Sequence, residues 1–294
     1  MTVIALVGPT ATGKSHIALA AAPRLDAEIV AVDAFTLYRG MDIGTAKPAA
    51  AARAAVPHHM VDVLDPSQEG TVAWFQQRAR EAIADVLVRG RTALLVGGSG
   101  LYFRAVVDDL RFPPTDPAVR AVLEERFADQ PAAAHAALAQ VDPDAAARMD
   151  PGNLRRAIRA LEVLELTGER FSTFSLAWDE YRSIYPNLVV VGVQVDRGAL
   201  RQRAQRRVAT MLAEGWLDEV RALASSELGP TARQAIGYQE LAEHLAGGCS
   251  LDEARERTTT RTRRYAAAQQ RWFAADPRIR WAAPSDALEV LCSS

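Results

Sequence analysis

The residues best equipped for chemistry open the chain: Gly8-Pro9-Thr10-Ala11-Thr12-Gly13-Lys14-Ser15, two glycines, a lysine and a hydroxyl at fixed spacing. Glycines let a backbone curl until successive N–H groups point at one oxyanion. Lys14 would neutralise phosphate oxygens there, and the Ser15 hydroxyl could hold a Mg²⁺ shared with them. An ordinary glycine turn between strand and helix does not explain the Lys-Ser pair, so the pattern predicts a site for a phosphorylated ligand. What is done with that ligand stays open. Asp33 is the next candidate, a carboxylate near the end of the apolar run EIVAVDA. From sequence alone it could also cap a helix or turn.

Cations gather elsewhere. Arg203 and Arg207 are one helical turn apart and share a face. A guanidinium fork suits a diphosphate better than an ammonium does, although a solvated helix face has the same spacing. Arg155, Arg156 and Arg159 fall within five residues with no acid among them. The run TTTRTRRYAAAQQRWF, residues 258–273, interleaves Arg261, Arg263, Arg264 and Arg271 with Tyr265, Trp272 and Phe273. That mixture fits phosphate contacts plus base stacking; a solvated helix with its aromatics in the core is the alternative. His58 and His59 lack a third ligand at useful spacing, which favours a structural or polar-contact role over a metal.

Positioning these groups requires particular elements. An apolar strand, the glycine loop, a helix over 15–22 and a buried strand over 28–34 make a βαβ unit. Such units build parallel sheets whose C-terminal strand ends face the ligand crevice, which puts Asp33 beside whatever Lys14 holds. An amphipathic helix over 72–89 leads to a third strand, 93–96, and a second glycine turn, Gly97-Gly98-Ser99-Gly100. Two glycine turns at strand ends could wall one anion site. The third strand does not end in an acid, which weighs against an ATPase. Residues 35–48, FTLYRGMDIGTAKP, have no period and read as a functional loop. After the break at 113–117, helices are expected over 117–129, 132–140 and from a cap at Asn153 to Gly168. A strand over 188–195, a helix capped by Asp196, a helix starting at Arg233 and a short closing strand over 279–281 complete the reading. The expected fold is α/β: a P-loop NTPase-like, doubly wound parallel sheet over 1–112 and 188–294, with a mostly helical inserted domain at 113–187.

Composition narrows the class. With 49% hydrophobic and 24% charged residues the 294-residue chain reads as soluble and globular. A net charge of -2 means that any basic surface must be local. Cys249 and Cys292 are far apart with no CxxC, which argues for a reducing compartment and against zinc or a disulfide framework. Neither a signal segment nor a membrane span is evident, so a cytoplasmic protein is expected.

Taken together, GPTATGKS, VDAFTLYRGMDIGTAKP, PHHMVDVLDP, VGGSGLYFRA, NLRRAIRALEVLELTG, RRVATMLAEGWLDEV, RQAIGYQEL and RTRRYAAAQQRWF resemble the bacterial tRNA dimethylallyltransferases, in that family's order and over almost the whole chain. The resemblance implies transfer of the C5 group of dimethylallyl diphosphate to N6 of the adenosine immediately 3′ of the anticodon. Gly8, Pro9, Thr10, Ala11, Thr12, Gly13, Lys14 and Ser15, with Arg203, would hold the diphosphate. Lys14 and Arg207 would stabilise its growing charge, Asp33 would take the amine proton, and Ser99 would hydrogen-bond near the transferred carbon. Mg²⁺ would sit on Ser15, with Asp33 a second candidate ligand. The tRNA anticodon stem-loop would meet Thr36, Tyr38, Arg39, Lys47, Arg155, Arg156, Arg159, Arg233, Gln234, Gly237, Tyr238, Arg261, Arg264 and Arg271, on a protein expected to be a monomer. One departure stands out: where the family usually has Asp-Ser-x-Gln-x-Tyr, this chain has Asp33-Ala34-Phe35-Thr36-Leu37-Tyr38. Two polar groups are lost, and Thr36 can make only a shorter contact. The rival readings are a P-loop kinase of a small metabolite, an adenylate isopentenyltransferase, and a non-catalytic tRNA-binding protein.

Overall fold

Val3–Val7 (β1) is apolar and buried at every position, as a strand covered on both faces must be. Its side chains alternate. Val3, Ala5 and Val7 join one core with Val30, Leu95 and Val190. Ile4 and Leu6 join another with Ile29, Leu94 and Val191. The computed structural model describes residues 2–175, 180–224 and 226–293.

After β1 the glycine loop leads into α1 (Lys14–Ala21), β2 (Ala27–Ala31), α2 (Ala50–Ala55), the two-residue β3 (His58–His59), α3 (Val72–Val88), β4 (Thr92–Gly97) and α4 (Gly100–Val107). Five helices follow: α5 (Pro117–Arg126), α6 (Pro131–Val141), α7 (Pro143–Ala147), α8 (Leu154–Thr167) and α9 (Phe171–Ser175). The chain then returns as β5 (Leu188–Val193), α10 (Arg197–Ala213), α11 (Trp216–Leu223), a 3-10 turn at Ala232–Gln234, α12 (Tyr238–Leu245), α13 (Leu251–Ala274), β6 (Ile279–Ala282) and α14 (Ala287–Cys292).

The strands form one sheet in the order β3-β2-β4-β1-β5-β6, with every pairing parallel. It is a P-loop-type α/β sheet with a core on each face. The chain divides into two compact units, Met1–Val107 with Ser183–Ser294, and Asp108–Arg182. The second unit has its own core of Leu123, Phe127, Leu138, Met149 and Ile158. There Asn153 caps α8 by accepting from Arg156 N, and Gly168 ends it at φ 73, the left-handed conformation that glycine adopts most cheaply.

Several boundaries differ from expectation. The second strand stops at Ala31, and Asp33 lies beyond it, accepting from Phe35 N at 2.8 Å; Asp33 therefore also closes a turn. The helix expected from Arg233 begins only at Tyr238, because Gly237 at φ 97 interrupts the backbone. Conversely, α13 starts seven residues before Thr258, where Ser250 and Glu253 form a capping box. The closing strand is part of the sheet, pairing with β5.

Candidate active site

Three adjacent strands deliver the site. β4 lies between β1 and β2, with Val7 beside Gly97 and Ala31 beside Val96. The phosphate loop, the second glycine turn and Asp33 therefore leave neighbouring strand ends, as the sequence order suggested. Gly8 and Gly97 make this approach possible. A Cβ on Gly8 would lie 2.7 Å from the Val193 carbonyl oxygen, and one on Gly97 would collide with that of Val32.

These ends surround a cavity of about 350 Å³ lined by Thr10, Ala11, Gly13, Lys14 and Ser15 from the loop, by Asp33 and Thr36, and by Gly97 and Gly98. Gly44, Thr45 and Ala46 line it from the irregular loop; Arg207 from α10; Trp216 from α11; and Thr262, Tyr265 and Gln269 from one face of α13. The loop is folded on itself: Pro9 O accepts from Thr12 Oγ1 at 2.9 Å and from Lys14 Nζ at 2.6 Å. Ala11 has φ 64 and Gly13 φ 94, alternations that turn consecutive N–H groups toward a common side. Among the described residues, the N–H groups of Ala11, Gly13, Lys14 and Ser15 donate to no protein acceptor. The Thr10 N–H does, to Gln269 Oε1 at 2.8 Å.

Burial pulls the Lys14 ammonium down to about 7; the Arg207 guanidinium pushes it the same way, and the Asp33 carboxylate opposes both. Burial also lowers Arg207, again against Asp33. Two cations and one carboxylate thus share a poorly solvated site, which an incoming polyanion would relieve. Burial, followed by the charge of Asp33, raises the Tyr265 hydroxyl. Ser99 is not among the lining residues. Arg203 is exposed, with Nη1 3.5 Å from Thr12 O. No group of three or more His, Cys, Asp or Glu side chains among the described residues could hold a metal. The Ser15 hydroxyl and Asp33 carboxylate are nevertheless hard oxygen donors on one cavity, the kind of partial set that Mg²⁺ completes with phosphate oxygens and water.

The expected RNA contacts divide. Arg155, Arg156, Arg233, Gln234, Arg264 and Arg271 are exposed, although Arg233 donates to Leu228 O and Gln234 to Pro230 O. Arg39 is paired with Asp65, and Arg261 with Glu240 at 2.6 Å. Five others are used up inside the fold. Tyr38 is fully buried, its hydroxyl accepting from Gly70 N. The side chain of Lys47 is buried between Asp42 and Asp62 and donates to Tyr38 O. Tyr238 donates to Glu219 Oε1 at 2.7 Å. A Cβ on Gly237 would strike the Trp216 ring. Arg159 donates to Pro113 O, Pro114 O and the buried Glu162, an acid only three residues further along the helix. His59 meets Glu28 at 2.6 Å and His58 meets Val56 O at 2.7 Å.

Two residues escaped sequence reasoning. Glu219 of α11 accepts from the N–H groups of Asp42, Ile43 and Gly44 at 2.7–3.1 Å, moulding the irregular loop. Gln269 joins both glycine turns. Thr262, Tyr265 and Gln269 stand at i, i+3 and i+7 on one helix face, and that spacing was the available signal. Thr36 Oγ1 is buried on the cavity wall without a partner.

Comparison with known proteins agrees with this architecture. A family model described as IPP transferase matches residues 36–276. A tRNA dimethylallyltransferase of Salinispora arenicola is 50% identical over 283 residues, covering 95% of this chain and 82% of that protein. One of Streptomyces coelicolor is 49% identical over 282 residues, covering 95% and 89%. The crystal structure of the full-length tRNA isopentenylpyrophosphate transferase from Bacillus halodurans matches with a TM-score of 0.71 at 38% identity, covering 99% of this chain and 94% of that one. A eukaryotic dimethylallyltransferase acting on tRNA matches with a TM-score of 0.80 at 25% identity, covering 96% and 74%. The chain belongs to the IPP transferase family.

Proposed function

We propose that this chain is a tRNA dimethylallyltransferase, moving the dimethylallyl group of dimethylallyl diphosphate to N6 of the adenosine immediately 3′ of the anticodon and releasing diphosphate. Identity of 50% with a protein of that name supports the reading. The observation that carries the chemistry is the single cavity lined by the phosphate loop, Lys14, Arg207 and Asp33. The exocyclic amine is a weak nucleophile because its lone pair is delocalised into the ring. Asp33 accepts its proton as the C–N bond forms. The allylic C–O bond breaks as charge grows on the diphosphate, which Lys14, Arg207 and the loop N–H groups stabilise. Ser15 would hold a Mg²⁺, with Asp33 the second candidate ligand, and the ion would supply further charge neutralisation when bound.

The adenine must leave its stack to reach the cavity, and Thr36 offers it an unpaired hydroxyl. Arg155, Arg156, Arg233, Gln234, Arg264 and Arg271 meet phosphates of the stem-loop, with Arg39 and Arg261 released from surface ion pairs to join them. The enzyme works as a monomer in the cytoplasm; among the described residues no helix is long and apolar enough to cross a membrane. The test offers the protein dimethylallyl diphosphate and Mg²⁺ with an anticodon stem-loop, AMP or ATP. Prenylated RNA is expected; prenylated AMP alone, or consumption of ATP alone, would sink the reading.

A further inference from the structure

We propose that Gln269 is a positioning residue of the transfer reaction: its carboxamide holds the phosphate loop against the second glycine turn, and diphosphate affinity depends on that link. The inference rests on the diphosphate reading of the cavity. Gln269 is 5% exposed. Its Oε1 accepts from Thr10 N at 2.8 Å, and its Nε2 donates to Gly98 O at 2.7 Å. Both partners are main-chain atoms, one on the loop after β1 and one on the turn after β4. The two strands are already paired up to Val7 and Gly97, but beyond those residues the ladder ends. The carboxamide continues the connection where the backbone can no longer do so.

The chemistry of the link is specific. A primary amide presents an acceptor and a donor at one end of a three-carbon reach. A carboxylate has the same shape but no donor, and would set its second oxygen against the Gly98 carbonyl. The turn is built to admit the amide closely, since a Cβ on Gly98 would lie 2.6 Å from Nε2. Tyr265, one turn earlier on α13, lines the same cavity. The bond to Gln269 also takes Thr10 N–H away from any ligand, leaving the N–H groups from Ala11 onward for the anion. The loop's shape is therefore fixed from α13, more than 250 residues away in sequence.

Replacing the amide tests the link through its donor. Binding of dimethylallyl diphosphate with Mg²⁺ is measured by titration calorimetry for wild type, Gln269→Leu and Gln269→Glu, between pH 5.5 and 8, with thermal melts to verify folding. Gln269→Leu should weaken binding about tenfold or more. Gln269→Glu should bind as poorly as Gln269→Leu at pH 8. Its affinity relative to wild type should recover toward pH 5.5, as a protonated carboxyl regains the donor to Gly98 O. A purely structural role would lower melting temperature without that recovery. A variant-to-wild-type ratio for Gln269→Glu that stays flat with pH, or wild-type binding by Gln269→Leu, overturns the inference alone. Failure of the wild type to bind the diphosphate overturns the reading of the cavity, and the inference with it.

Discussion

Lys14 is a buried cation beside a second cation, and its proton is correspondingly easy to remove. With its ammonium drawn down to about 7 by burial, then by Arg207, the unliganded protein binds fewer protons than the unfolded chain from there up to the ordinary lysine value of 10.5. The fold therefore gains stability from this group as pH rises through that window. Ligand binding has the opposite sense, because a diphosphate restores the charged form. Above about pH 7 binding should take up a proton, and affinity should fall by up to about tenfold per pH unit. Calorimetry in two buffers of different ionisation enthalpy measures the uptake, and Lys14→Met should abolish it. Asp33→Asn keeps the shape and the turn bond to Phe35 but cannot accept a proton. Single-turnover transfer should fall by about 10²- to 10⁴-fold while stem-loop affinity in a filter-binding assay stays unchanged; near-normal turnover would remove Asp33 from the general-base role.

At the scale of elements, the irregular loop after Asp33 owes its form to an acid on a distant helix. Glu219→Ala would leave the N–H groups of Asp42, Ile43 and Gly44 and the Tyr238 hydroxyl without their shared acceptor. A loss of about 3 kcal/mol is expected, read from urea unfolding; an unchanged midpoint would show that water replaces the carboxylate without cost. This loop also marks where sequence reading stops. The strands, α1, α3, α8 and the phosphate loop were legible because their information is local: alternation, helical period, caps, and a Gly-Lys-Ser spacing. Glu219 and Gln269 were not, because each acts on main-chain atoms far away in sequence. Tyr38, Lys47, Tyr238 and Arg159 have partners within the fold that the sequence did not disclose, for a related reason. A polar or basic side chain in a motif reads the same whether it faces RNA or a carboxylate or backbone group of the fold.

For the whole molecule, a net charge of -2 leaves no general attraction for nucleic acid, so RNA affinity must come from local arginines. Many of these are engaged: Arg159 with Glu162, Arg261 with Glu240, Arg39 with Asp65. Arg264 and Arg271 are exposed on α13. Replacing both with alanine should weaken stem-loop binding and flatten the dependence of log affinity on log salt by about 1.5. Diphosphate affinity measured without RNA should not change. An unaltered salt slope would move the RNA contact to another face.

The position of β1 in the sheet also orders the protein's birth. The ribosome makes this strand before its neighbours β4 and β5, and the loop that follows it is pinned by Gln269. At about 5–20 residues per second, roughly ten to fifty seconds of translation separate Val7 from the residue that fixes its loop. During that interval the apolar segment VIALV has no finished sheet to enter. The active-site loop emerges long before the residue that sets its shape, so a nascent chain halted before α13 would carry the whole phosphate-binding signature and lack the clamp.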